Sequence, residues 1–132
     1  MPSDLASVLL VDDSAAMRTF VTSTLEADGT FSVTAVSNAF EALKLLPRTR
    51  FDLVITDINM PDINGLELIR FIRDSPVHAK VPLVIISTDG GERDRQRGMQ
   101  LGADAYLVKP FTPEQLLELA QRLAPHRELA RH

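Results

Sequence analysis

The 132-residue sequence contains no cysteine and no tryptophan, and it has a single tyrosine. Without cysteine the chain cannot form disulfides, use a thiol as a nucleophile or bind a metal through sulfur. A strong charge imbalance is also missing. The 18 acidic and 14 basic residues give a net charge of −4, which argues against direct binding of nucleic acid. The three histidines, His78, His126 and His132, show no ligand spacing and are interpreted as surface residues.

Long apolar runs are absent too, and the N-terminal apolar run has no basic region before it. A membrane span needs about 20 apolar residues, and a signal peptide needs a basic start. We therefore expect a cytoplasmic protein without membrane insertion. The length suits one domain with a full hydrophobic core over residues 1–132, in which residues 125–132 form a charged, frayed tail.

Five apolar runs alternate with five segments that carry helix signals. The runs are Val8–Val11, Phe31–Val36, Leu53–Ile55, Pro82–Ile86 and Ala105–Val108. The helical segments are Ser14–Asp28, Asn38–Leu46, Asn64–Asp74, Gly91–Leu101 and Thr112–Leu123. This alternation predicts an α/β fold, a doubly wound five-stranded parallel (β/α)5 sheet with helices on both faces.

The helix starts differ in quality. Asn38, Asn64 and Thr112 are each followed three positions later by Glu or Gln, which is the spacing of a capping box.

The fourth helical segment has no apolar stripe and contains glycines, among them Gly98. An interior glycine costs about 1 kcal/mol relative to alanine. We expect this helix to be the least stable and suited to switching, with a simply solvated surface helix as the alternative.

Reactive side chains stand where four of the predicted strands end. They are Asp12 and Asp13, Asp57, Ser87 with Thr88, and Lys109 with Pro110. Each has an ordinary explanation as a helix cap or a surface turn. Because the carboxyl ends of parallel strands share one edge of the sheet, however, all of them converge on one crevice.

Three carboxylates with only one lysine form a net negative cluster that repels itself unless a divalent cation joins it. Oxygen ligands with free water positions suit Mg²⁺. A carboxylate oxygen of Asp57 could then attack a phosphorus atom, while the cation and Lys109 neutralise the transferring phosphoryl group. Ser87 offers a hydroxyl that can donate to the same group.

The motifs VDDSAAMR, Asp57 with Met60-Pro61 and Gly65, Ser87, and Lys109-Pro110-Phe111 together resemble the receiver domain of two-component response regulators. The resemblance runs from Val8 to about Leu123 and is strongest to single-domain chemotaxis regulators of the CheY type. It implies a flavodoxin-like strand order 2-1-3-4-5. It also implies a phosphorylation-controlled signalling module that accepts a phosphoryl group from a histidine kinase and switches partner binding.

The resemblance assigns roles at the site. Asp57 is the phosphoacceptor, and Asp13 and Asp57 bind Mg²⁺ together with the backbone carbonyl of Asn59, assisted by Asp12. Lys109 pairs with the phosphoryl group, and its peptide bond to Pro110 is expected to be cis.

Ser87 and Tyr106 are the implied switch residues: Ser87 moves towards the phosphoryl group and Tyr106 follows inward. Asn59 and Asp89, two residues beyond Asp57 and Ser87, are expected to border the path of the water that removes the phosphoryl group. Thr88 stands where the family usually has alanine or glycine, so we expect it to affect the rate of phosphorylation.

The expected partners are a histidine kinase, a protein target on the face formed by the fourth helix, fifth strand and fifth helix, and a phosphatase. We expect a monomer that is not an enzyme beyond its own phosphorylation and dephosphorylation.

One alternative is an N-terminal receiver domain cut from a larger regulator. A Mg²⁺-dependent aspartyl-phosphate hydrolase is disfavoured because Asn59 stands where its acid/base Asp would be. A receiver fold that works without phosphorylation is disfavoured by the intact set of site residues.

Overall fold

The computed structural model describes residues 5–60, 64–88 and 92–124. Strands and helices alternate along the chain as β1 (Ala6–Val11), α1 (Ala15–Ala27), β2 (Phe31–Val36), α2 (Ala39–Leu45), β3 (Leu53–Asp57), α3 (Gly65–Asp74), β4 (Leu83–Ser87), α4 (Glu92–Gln100), β5 (Ala105–Val108) and α5 (Pro113–Leu123). The strands are parallel and lie in the order β2-β1-β3-β4-β5. The doubly wound, flavodoxin-like fold predicted from the sequence is confirmed. Within these ranges, no helix combines the length and the hydropathy of a transmembrane span.

The sheet separates two hydrophobic clusters. Successive strand residues point to opposite faces, so that Leu9 belongs to one cluster and Leu10 to the other. Residues of α2 and α3, such as Ala42 and Ile69, complete the first cluster, while α1 and α5 complete the second. The central strands β3 and β4 are buried along their whole length, which explains their unbroken apolar runs.

The predicted caps are present, with one difference in detail. Thr112 and Gln115 form a reciprocal capping box at the start of α5. Asn38 accepts a hydrogen bond from the backbone N–H of Glu41 at 2.9 Å. Asn64 also caps its helix, but its side chain accepts from the N–H of Leu66, one residue earlier than the capping-box position.

The fourth helix is largely exposed, which is the property that its expected low stability and the solvated-helix alternative share, and its only buried residue is Gly98. A Cβ atom added at Gly98 would overlap Cδ1 of Ile85 in β4. The glycine therefore allows α4 to lie close against the sheet, which offsets its low helix propensity. The low stability of α4 stays a prediction, and the predicted start at Gly91 lies outside the described residues.

One prediction about the histidines was wrong. His78 is fully buried, and its Nε2 atom accepts a hydrogen bond from the backbone N–H of Phe51 at 3.2 Å. Burial, helped by the nearby Arg50 charge, lowers the pKa of His78, although a backbone hydrogen bond with Thr49 acts in the opposite direction. A lone histidine gives no sequence signal of burial. His126 and His132, like the whole of segment 125–132, lie outside the described residues.

Arg73, near the end of α3, donates hydrogen bonds to both loops that precede β4 and β5. Its guanidinium donates to the carbonyl of Gly102 at 2.8 and 3.1 Å and to the carbonyl of His78 at 3.2 Å. It also contacts the Asp104 carboxylate at 3.2 Å, which in turn accepts the N–H of Leu83 at 2.8 Å. The loop after α4 is thus anchored to α3 at the edge of the sheet away from Ser87.

Candidate functional site

Asp12 stands immediately after β1 and has no solvent exposure. One carboxylate oxygen accepts the backbone N–H of Ser14 at 2.8 Å, and the other lies 2.8 Å from Nζ of Lys109. Arg18 donates to the backbone carbonyl of Asp12, also at 2.8 Å. The carboxylate is thereby held in one orientation by partners from both ends of the chain.

Asp57 is the last residue of β3 and is almost completely buried. Its Oδ1 atom accepts the backbone N–H of Asn59 at 2.9 Å, and its Oδ2 atom lies 3.1 Å from Nζ of Lys109. The start of α3 lies against the same backbone. A Cβ atom at Gly65 would come within 2.5 Å of the Asp57 carbonyl oxygen and of Cα of Ile58. Only glycine allows this approach, and sequence reasoning used Gly65 as a motif residue without finding this role.

Lys109 follows β5 and bridges the two buried carboxylates. Its side chain is 10% exposed. Burial alone would lower its pKa, but the hydrogen bonds and charges of Asp12 and Asp57 outweigh burial and raise the pKa above the ordinary lysine value. The ammonium is therefore charged and fixed between two anions. The peptide bond to Pro110 is cis, as the resemblance implied.

Asp13 completes a group of three acidic side chains. Carboxylate oxygens of Asp12, Asp13 and Asp57 all lie within 4.8 Å of one another, and Asp13 is exposed. A cavity of about 560 Å³ opens above them, lined by Asp13, Ser14, Met17, Asp57, Asn59, Thr88, Lys109 and Pro110. Oxygen donors on one side and open space on the other suit Mg²⁺, which keeps several water ligands. The three carboxylates thus form a candidate metal site, while the backbone carbonyl of Asn59 as a ligand stays a prediction.

The predicted switch residues lie on neighbouring strands. Ser87 ends β4 and is buried, and its Oγ atom accepts a hydrogen bond from the side-chain amide of Asn59 at 3.2 Å. Tyr106 in β5 is half-buried beside the first hydrophobic cluster and is paired in register with Ile85. Sequence reasoning brought Asn59 to the site but did not find its contact with Ser87. Asp89, predicted to guide water, lies outside the described residues.

A model of the response regulator receiver domain matches residues 8–121, which is most of the chain. The chain belongs to this receiver family. The resemblance found in the sequence is confirmed, and so is the assignment to two-component and chemotaxis signalling.

Two relatives agree with this assignment over most of their own lengths. A CheY homologue of Campylobacter jejuni strain 81-176 is 37% identical over 112 residues, covering 84% of this chain and 86% of the relative. The structure of CheY4 from Vibrio cholerae matches with a TM-score of 0.84 and 37% identity, covering 90% of this receiver and 98% of that chain.

A third match bears on the metal site. The receiver domain of the sensor histidine kinase PA1611 from Pseudomonas aeruginosa matches with a TM-score of 0.83 and 28% identity, over 91% of this chain and 98% of that one. That structure has a magnesium ion coordinated in its active-site cleft.

Proposed function

We propose that this receiver is a cytoplasmic, monomeric signalling module that accepts a phosphoryl group on Asp57 from a histidine kinase and then binds a protein target. The observation that carries the proposal is the position of Lys109, whose ammonium lies within 3.1 Å of both Asp12 and Asp57 beside an open acidic cavity. A fixed cation next to a strand-end carboxylate is the arrangement that phosphoryl transfer to that carboxylate requires.

In the proposed reaction, a carboxylate oxygen of Asp57 attacks the phosphorus of a phosphohistidine. The new O–P bond forms as the P–N bond breaks, and the departing imidazole takes a proton from solvent. Lys109 faces the negative charge that develops on the equatorial phosphoryl oxygens. The Ser87 hydroxyl donates a hydrogen bond to one of these oxygens. The receiver is therefore a substrate that assists its own modification rather than an enzyme acting on other molecules.

Mg²⁺ is the cofactor that fits this site. Asp12, Asp13 and Asp57 supply the carboxylate oxygens, and the backbone carbonyl of Asn59 is the further ligand we propose. The cation would screen the phosphoryl oxygens from these carboxylates, since an incoming dianion meets three negative side chains and only one lysine. The exposure of Asp13 supports this assignment because it leaves room for water in the remaining positions.

The output surface in this proposal is the face of α4, β5 and α5. Drawing Ser87 towards a phosphoryl group opens space behind β4 that Tyr106 can fill. Tyr106 lies at a groove of about 400 Å³ together with Arg95, Met99, Asp104, Ala105, Leu107, Gln115, Glu118, Leu119 and Arg122. A rotation of Tyr106 would reshape the floor of this groove and so change its affinity for a protein target.

The signal would end by in-line attack of water on the acyl phosphate. Asn59 lines the cavity over Asp57, where a short polar side chain can orient a water molecule. Asp89 is proposed to act with it, and a phosphatase that inserts a water-orienting group could accelerate the same step. A larger or apolar residue at position 59 should slow the loss of the phosphoryl group.

Mass spectrometry after incubation with acetyl phosphate tests the central step. We expect one phosphoryl group per chain in the presence of Mg²⁺ and none with EDTA. Asp57→Asn should abolish the addition, whereas Asp74→Asn, at an exposed carboxylate in α3, should not change it. Equal labelling of Asp57→Asn and wild type would contradict the proposal.

A second candidate is a receiver that controls an output domain within a larger regulator. The response regulator Rre1 of Synechocystis supports it, because the match covers 89% of this chain but only 51% of that regulator. The chemistry at Asp57 would be the same. The two candidates differ in whether the α4-β5-α5 face binds a separate protein or a domain of the same polypeptide.

A further inference from the structure

Asn59 contacts both the phosphoacceptor and the switch hydroxyl. Its backbone N–H donates to Oδ1 of Asp57 at 2.9 Å, and its side-chain amide donates to Oγ of Ser87 at 3.2 Å. We propose that Asn59 is a positioning residue whose amide holds Ser87 in its resting orientation and thereby sets how readily phosphorylation draws Ser87 towards Asp57. This inference rests on the proposed function of the site.

The backbone around Ser87 is fixed, so only the side chain can respond easily. Ser87 pairs with Val108 in the register of β4 and β5, and its carbonyl accepts the N–H of Lys109 at 2.8 Å. The hydroxyl, in contrast, changes position by rotation about one side-chain bond. Whatever holds the hydroxyl therefore controls the first movement of the switch.

The hydrogen bond from the Asn59 amide to Ser87 is weak enough for phosphorylation of Asp57 to break it. At 3.2 Å between a neutral amide and a neutral hydroxyl, it lies at the long end of N–H···O distances. A hydrogen bond from the Ser87 hydroxyl to a charged phosphoryl oxygen is roughly twice as strong as a neutral one. The phosphoryl group can thus overcome the restraint, while the unmodified Asp57 carboxylate is already occupied by Lys109 and by the Asn59 N–H.

The contact between Asn59 and Asp57 also explains why phosphorylation of Asp57 would release Ser87. Asn59 is attached to Asp57 through its own N–H, and its side chain lies exposed at the mouth of the cavity. A group added to Asp57 displaces the neighbours that the carboxylate oxygens now contact. Movement of Asn59 withdraws the amide from Ser87, so one residue transmits the change at Asp57 to the end of β4.

The test uses beryllofluoride with Mg²⁺ as a phosphoryl mimic, which removes any effect of Asn59 on hydrolysis. The fraction of activated receiver is read from the NMR resonance of the Thr88 amide, next to the switch residue. Asn59→Leu keeps the side-chain size and the backbone N–H but removes the amide donor. We expect it to lower the half-maximal beryllofluoride concentration about threefold, the effect of losing one weak neutral hydrogen bond.

A double-mutant cycle tests whether Asn59 acts through Ser87. In a Ser87→Ala background, Asn59→Leu should shift the half-maximal concentration by less than about 1.5-fold, because the acceptor is already gone. In a Ser87→Thr background, which keeps the hydroxyl, the threefold effect should return. The side-chain amide protons of Asn59 should shift upfield in Ser87→Ala and stay near their wild-type position in Ser87→Thr.

Two results would overturn the inference. One is an equal effect of Asn59→Leu in the wild-type and Ser87→Ala backgrounds, and the other is an Asn59 amide resonance that is insensitive to Ser87→Ala. The fate of the proposed function is read separately from wild type. If acetyl phosphate adds no phosphoryl group to wild type, the proposed function and this inference are both wrong. If wild type is phosphorylated but Asn59→Leu has the same effect in both backgrounds, only the inference is wrong.

Discussion

The Lys109 ammonium lies 2.8 Å from the buried carboxylate of Asp12, a residue 97 positions earlier in the chain. The same ammonium holds Asp57 at 3.1 Å. Two buried anions therefore depend on one lysine. Removing one partner of such a buried group leaves an uncompensated charge, which is far more costly than losing a surface ion pair.

Lys109→Met should lower the free energy of unfolding by about 3 kcal/mol in EDTA, because the carboxylates of Asp12 and Asp57 then repel each other without a partner. Mg²⁺ should recover more stability in this variant than in wild type, since the cation replaces the missing charge. Urea denaturation with EDTA or Mg²⁺ measures both effects. Lys80→Met, at an exposed lysine, is the control, and equal responses to Mg²⁺ in wild type and Lys109→Met would contradict the prediction.

Gly65→Ala should weaken Mg²⁺ binding as well as destabilise the fold. The new Cβ would meet backbone atoms of Asp57 and Ile58 at 2.5 Å, and backbone cannot give way as a side-chain end can. We expect a loss of about 2 kcal/mol in stability from overpacking.

Gly29→Ala is the matched control for this effect. Gly29 has φ +84° but open space around its Cβ position, so alanine there costs about 1 kcal/mol of backbone strain without touching the site. Isothermal titration with Mg²⁺ should show weaker binding only for Gly65→Ala. Comparable weakening in both variants would mean that general destabilisation, and not the Asp57 backbone, is responsible.

Gly98→Ala should destabilise the wild-type protein by about 1 kcal/mol, although alanine favours helix by about the same amount. The reason is the overlap between the new Cβ and Cδ1 of Ile85. Ile85→Val deletes that methyl group, so Gly98→Ala should be neutral or stabilising in the Ile85→Val background. Thermal or urea unfolding of the four proteins checks the reversal of sign, and a destabilisation that is the same in both backgrounds would contradict it.

His78 should make stability fall as the pH drops below about 6.5, the ordinary pKa of histidine. Its pKa is lowered in the fold by burial, so the unfolded chain binds the extra proton first and stability is fully present only above that pH. The slope can reach at most about 1.4 kcal/mol per pH unit for one group.

His78→Gln isolates this contribution, because glutamine can still accept the Phe51 N–H but does not titrate. The stability difference between wild type and His78→Gln should shrink or reverse as the pH falls from 7 to 5, while effects of carboxylates cancel between the two proteins. A difference independent of pH would show that His78 does not contribute to acid sensitivity.

The strand ends explain why so much of the site could be predicted. In a parallel sheet, the order of strands brings Asp12, Asp57 and Lys109 to one edge whatever the side-chain details, and the capping signals of Asn38 and Thr112 depend only on local chain geometry. These features are encoded by neighbours in sequence or by topology alone.

The features that could not be predicted depend on three-dimensional packing between distant residues. Nothing near His78 in the sequence marks it as buried against Phe51, and nothing near Gly98 shows that Ile85 lies under it. The bond between Asn59 and Ser87 joins residues 28 positions apart through side-chain orientation. Such contacts follow from how helices settle on the sheet, which composition and periodicity do not determine.

The contacts of Arg73 fix the loop that follows the carboxyl end of α4. Gly102 and Asp104 anchor the loop that follows the helix, and Gly98 is seated on Ile85, whereas no residue from Glu92 to Arg97 is buried. If α4 tilts about this end, each of its residues moves in proportion to its distance from Gly98. Over the roughly 9 Å from Gly98 to Glu92, a tilt of about 10° would move Glu92 by roughly 1.5 Å. A molecule bound along α4 would then contact side chains whose displacement is largest at Glu92 and smallest near Met99.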